Sequence, residues 1–147
     1  MLRRHSPRHR RGATLVEAAL VYPTVFLLII GGIVLGLGVS RAQQMASLAR
    51  EGARWACVHG AQFATDTGNA AATTTTIQDY VRGKAAGMDT NSVTVTPTWT
   101  TTNALTHTSG SSTIKNTVSV TVSYPWVPQA YFGGMTLSST SVMTMSY

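Results

Sequence analysis

The sequence predicts an α+β fold: one long N-terminal helix, transmembrane in its first half, then a short second helix and a small antiparallel sheet. Three observations predict it. No charged residue occurs from Ala18 to Ser40, and at ~1.5 Å rise per residue such a helix crosses a hydrocarbon core of ~30 Å. Beyond it Ala42, Ala46, Ala49, Ala53 and Ala56 recur at spacings of three and four, so the helical period continues. After Asp89 the period becomes two, as Val93 and Val95 alternate with Thr94 and Thr96.

The first element is a basic arm, residues 1–12, with Arg3, Arg4, Arg8, Arg10 and Arg11. Positive charge before a span keeps that end cytoplasmic and sends the C-terminus out, against a weaker pull from Arg41, Arg50 and Arg54 on the far side. The second segment, residues 13–60, is the spanning and extended helix. Glu17 lies at its mouth, where a carboxylate is costly unless paired, which marks it as functional. Pro23 falls early in the span. Gly32 and Gly36 form a small-xxx-small pair that permits close helix–helix approach, or reflect the general frequency of Gly in membrane helices. Past the membrane, Glu51 is expected to reach Arg54 three residues on.

The third segment, residues 61–147, is expected to fold outside the membrane. His59–Ala72 reads as a loop. Thr73–Gly87 reads as the second helix, with Ile77, Tyr80, Val81 and Ala85 on one face, Thr75 and Gln78 as the capping pair and Gly87 as the stop. Three strands follow, around Val93–Thr96, Val118–Tyr124 and Met143–Tyr147, each with one buried face. Thr98–Ser112 reads as a loop, and Pro125, Pro128 and Gly133-Gly134 separate the last two strands.

Composition excludes several functions. The net charge of +6 belongs to the arm; the rest holds six basic and five acidic residues, so no nucleic-acid surface follows. Cys57 is the single cysteine, which excludes a disulfide scaffold or a multi-thiolate metal site. It is either a small buried residue or an intermolecular bridge. His59, His107, Asp66, Asp79 and Asp89 lack metal-ligand spacing and adjoin no nucleophile motif. No cofactor is expected. Trp55, Trp99 and Trp126 read as packing or interface residues rather than a binding platform. A secretory signal fits poorly, because the apolar run exceeds a normal h-region and Ser40-Arg41-Ala42 places Arg in the cleavage pattern.

Residues 11–56 resemble the TadE-like minor pilins of the tight-adherence (Tad) pilus, a branch of the type IV pilus systems. The resemblance rests on Arg11-Gly12-Ala13, Val16-Glu17-Ala18-Ala19-Leu20, Pro23, the Leu/Ile/Gly run and Ala49-Arg50-Glu51-Gly52-Ala53-Arg54. It implies a pilin-like fold and no catalysis. It also implies that a prepilin peptidase cuts between Gly12 and Ala13, making residues 1–12 a leader and Glu17 the fifth mature residue. The implied partners are that peptidase, other pilins and pseudopilins, and membrane lipid. The implied place is the inner membrane, with a cytoplasmic N-terminus and an extracytoplasmic C-terminal domain, or the pilus itself. Major Tad pilins are very short and carry an aromatic beside the Glu; here the neighbour is Ala18, and with the length this favours a minor pilin in pilus assembly and adherence. Two rivals remain on the residues alone: an uncleaved single-pass protein whose outer domain binds a partner or surface, and an enzyme released near Ala42.

Overall fold

The computed structural model describes residues 11–128 and 133–147. Eight elements are present among them: α1 (Arg11–Val58), α2 (Ala61–Thr67), α3 (Thr74–Lys84), β1 (Thr94–Trp99), β2 (Thr106–Ser109), β3 (Ser112–Lys115), β4 (Thr117–Trp126) and β5 (Met135–Thr144). The layout is α+β, with two short helices where the sequence suggested one. Most of the basic arm, residues 1–10, lies outside the described residues.

The chain divides into two compact units, Met1–Leu37 and Gly38–Tyr147. The described part of the first is helix α1 alone, with Pro23 inside it. Its apolar side chains have no protein cover: Leu20 is 78% exposed, Leu28 68% and Leu35 71%. The most apolar window of the helix has a mean hydropathy of 2.4, and none of it is buried. A core helix of a soluble protein would bury such a stripe, whereas lipid can solvate all sides of it.

The second unit is built on the end of α1. Met45, Leu48, Ala49, Gly52, Ala53, Ala56 and Cys57 are buried, a helical stripe of mostly small side chains. They share one core with Val93 and Val95 of the first strand region, Val118, Val120 and Val122 of β4, Met145, and Ile77 and Val81 of α3. The main sheet has the order β1-β4-β5, antiparallel throughout. Strand β4 buries alternate residues, as the period of two requires. A separate hairpin pairs β2 with β3.

Several boundaries differ from those read in the sequence, each for a local reason. The capping box of α3 is Thr73 with Thr76, not Thr75 with Gln78: Thr73 accepts from the Thr76 N–H at 3.3 Å, and the Thr73 N–H donates to the Thr76 hydroxyl at 2.8 Å. Gln78 turns instead to β1. The helix ends at Lys84, and Gly87 (φ +71°) serves the turn beyond it. The expected loop at residues 59–72 contains α2, whose end is closed by Gly68 at φ +73°, its N–H donating to Ala64 O at 3.0 Å. The expected loop at residues 98–112 contains β2, which turns into β3 through Gly110 (φ +63°) and Ser111. The last strand runs Met135–Thr144, earlier than expected. Ser146 and Tyr147 leave the strand because their backbone N–H groups bond to Cys57 O, whereas the Met145 N–H still follows the β4 register to Asn116 O.

Candidate functional site

The candidate site begins with the first turns of α1. Gly12 is exposed, and a Cβ added to it would meet nothing within 4 Å. Glu17 is also exposed and sits in the second turn. A carboxylate exposed there can accept charge-assisted hydrogen bonds. Gly32 and Gly36 are one turn apart, and a Cβ on either would likewise meet nothing. Like the rest of this segment, that side has no cover among the described residues. The side chains of Arg11 and Ala13 are not described.

The second part is the block Ala49-Arg50-Glu51-Gly52-Ala53-Arg54. Its members divide by helical position. Ala49, Gly52 and Ala53 face the sheet and are buried. Gly52 is required by close approach: an added Cβ would lie 2.6 Å from Val81 Cγ2 and 3.2 Å from Val120 Cγ1. Glu51 turns to α3, where it accepts from the Tyr80 hydroxyl at 3.1 Å and pairs with Lys84 Nζ at 3.5 Å. The expected Glu51–Arg54 pair is thus replaced, because α3 brings a closer cation than the helix itself offers. Both groups of the Lys84 pair are about half exposed, so the bond contributes little stability. Arg50 and Arg54 are exposed, and Arg50 Nε donates to Ala46 O at 3.1 Å.

Beside this block four rings run in series. Trp55 stacks on Tyr80 at 5.0 Å and on His59 at 4.2 Å, and His59 meets Phe63 at 4.6 Å. They join α1, α2 and α3. Partial burial, then the hydrogen bond to Glu51, hold the Tyr80 phenol above its ordinary pKa. Trp55 is therefore a packing residue. Trp126 is one too, its indole edge lying where a Cβ on Gly38 would come within 3.0 Å.

The chain's end closes α1. Ser146 and Tyr147 both donate backbone N–H groups to Cys57 O, at 3.0 and 3.2 Å. Cys57 itself is buried, with its thiol 3.2 Å from Arg54 O; of its two readings the structure gives the small buried residue. Gly60 follows, where a Cβ would collide with the Tyr147 carbonyl and with Met145. Buried Asn116 ties the region together. Its side chain donates to Ala104 O at 2.9 Å and accepts from the Thr101 hydroxyl at 2.7 Å. Sequence reading missed Asn116; a lone Asn between two β-type runs was its one signal. Among the described residues no group of His, Cys, Asp and Glu could hold a metal ion.

Residues 12–54 match the family model described as TadE-like protein. This N-terminal third is thus similar to the TadE-like family. The match runs from the candidate cleavage residue Gly12 through Glu17, Pro23 and the exposed apolar helix, and ends on Arg54 of the block that seats α1 on the sheet. It connects the chain with the Tad pilus system, whose TadE-like family is structural rather than enzymatic. No curated protein and no solved structure matches the chain. Helix α1 is long and apolar enough to cross a membrane once.

Proposed function

We propose that the chain is a minor pilin or pseudopilin of a Tad-type pilus, anchored in the inner membrane and acting in pilus assembly and adherence. The observation that carries this reading is the TadE-like match over a helix with Glu17 at its mouth. In this reading a prepilin peptidase cuts between Gly12 and Ala13 on the cytoplasmic side. The new α-amine, with a pKa near ~7.7–8.0, is largely charged at neutral pH. In a bundle of staggered helices the exposed Glu17 carboxylate meets the amine of a neighbouring pilin, so two charges that are costly in lipid satisfy each other. Gly32 and Gly36 give the neighbouring helix close approach. Head-to-tail contacts of this kind propagate as an open helical filament. Residues 61–147 then form the extracytoplasmic domain.

Glu17→Val tests the proposal. In a plain anchor the change is harmless or improves insertion, since an acidic residue costs ~2.5–3.5 kcal/mol at mid-helix and less near the end. In a pilin it leaves the neighbour's amine unpaired, and breaking one side of a desolvated pair costs ~3–5 kcal/mol. Complementation of a deletion strain should show inserted, processed protein at normal level without surface pili. Glu17→Asp should be partly active, because it keeps the charge and loses reach. Normal piliation with Glu17→Val would favour the single-pass anchored domain instead.

A further inference from the structure

The two edges of the main sheet are not alike. At β1 the outer edge is covered: Gln78 Nε2 donates to Val95 O at 2.9 Å, Arg82 Nε donates to Val93 O at 3.3 Å, and Pro97 has no N–H to offer. At β5 the outer edge runs from Met135 to Thr144 with no charge, no Pro and no break in its register with β4. No strand among the described residues pairs with it. An edge this long and plain is normally guarded, because its free N–H and C=O groups template pairing with another strand.

Alternation fixes which groups face outward. The Met145 N–H donates to Asn116 O at 2.8 Å, in line with the β4–β5 register. Met143, Ser141, Ser139 and Leu137 therefore turn their backbone groups to β4. Thr136, Ser138, Thr140, Val142 and Thr144 turn theirs to the open edge.

The side chains of β5 read nearly alike in both directions from Thr140. Ser139 and Ser141 flank it, then Ser138 and Val142, Leu137 and Met143, Thr136 and Thr144. Place a second β5 antiparallel across a two-fold axis at Thr140. The outward pairs become Thr140 with Thr140, Ser138 with Val142, and Thr136 with Thr144, which is about ten backbone hydrogen bonds. Between them Leu137 faces Met143 on the side where both already pack against the core. On the core-facing side the strand is thus complementary to a second copy of itself, apolar meeting apolar and Ser meeting Ser.

We propose that β5 is a self-association edge, through which two copies of the chain join antiparallel about Thr140 and fuse their sheets. The interface is isologous and closed. It concerns residues 38–147 alone and stands whether or not the chain enters a pilus.

The test uses the full-length chain in detergent. Light scattering should find a dimer. Thr140→Cys in a Cys57→Ala background should form a disulfide-linked dimer under mild oxidation, since directly opposed residues lie ~5.5 Å apart between Cα atoms. Thr96→Cys, on the covered strand β1, should not. Ser138→Pro removes only an outward N–H, so it should keep the thermal midpoint and weaken dimerisation at least ~10-fold. A monomer at all concentrations would overturn the proposal. So would a dimer that cross-links equally at positions 96 and 140, or one that Ser138→Pro leaves intact. If Ser138→Pro does not fold, the cross-linking pair decides alone.

Discussion

Two helical glycines should respond to alanine with opposite signs. At an open position in a helix, Gly→Ala gains up to ~1 kcal/mol from backbone entropy. Gly83, in α3, is such a position, since a Cβ there meets nothing within 4 Å. Gly52, in α1, is not. Its Cβ would lie 2.6 Å from Val81 Cγ2 and 3.2 Å from Val120 Cγ1, where carbon atoms prefer ~3.5–4.0 Å. Val81 is β-branched and in a helix, so it has essentially one rotamer and cannot turn aside. The helix must lift from the sheet by roughly 1 Å, and overpacking of this kind costs ~1–3 kcal/mol. After the propensity gain, Gly52→Ala should be net destabilising by about 1 kcal/mol. For a unit of this size that lowers the thermal midpoint by roughly 4 °C, while Gly83→Ala raises it. The assay is thermal unfolding of the full chain in detergent, followed by near-UV circular dichroism. Val81→Ala in the Gly52→Ala background should couple favourably by at least ~0.5 kcal/mol. If Gly52→Ala raises the midpoint as Gly83→Ala does, the close seating of α1 on the sheet is wrong.

Other expectations follow from single contacts. Asn116→Ala leaves Ala104 O and the Thr101 hydroxyl without their partner, and should cost about 1–3 kcal/mol in denaturant unfolding; a change within error would mean water satisfies both. The raised Tyr80 pKa favours the neutral phenol in the folded state, so its contribution is present below the ordinary pKa of ~10 and lost as pH rises through the folded value. An absorbance titration should show a late phenol component that disappears in Tyr80→Phe, and a titration that Tyr80→Phe leaves unchanged would contradict this. A reporter active only outside the cytoplasm should work when fused after Tyr147; activity at the N-terminus instead would reverse the orientation.

What was legible in the sequence had a strong period. The exposed apolar helix, the buried face of α3 and the alternation of Val118, Val120 and Val122 all stood out, because one residue class repeats with one spacing. What was missed depends on tertiary partners or on single turn residues. Helix α2 has no buried residue and is marked only by Gly60 and Gly68 at its ends. The β2–β3 hairpin is mostly exposed, and Gly110-Ser111 is its whole signal. Strand β5 shows Ser and Thr on both faces, so its alternation blurs, whereas Met143 and Met145 stood out and pulled the expected strand too late. Local spacing points Glu51 to Arg54, since it cannot reveal that Lys84 arrives from another helix. For the candidate site, Gly12, Glu17, Gly32 and Gly36 were read from motif alone, and the role of Gly52 became plain only from its distances to Val81 and Val120.

The central claim is that this helix is a processed pilin helix rather than a plain anchor or a signal sequence. The mass of the N-terminal peptide tests it most directly, measured on protein extracted from membranes of cells that contain the prepilin peptidase. A chain beginning at Ala13 is the expected result, and Gly12→Leu should abolish it, because a bulky side chain replaces the close backbone approach that Gly permits. A chain that keeps Met1 or residues 1–12 would contradict processing and leave a single-pass anchor. A chain beginning near Gln43 would mean release by signal peptidase, and the pilin reading would fall.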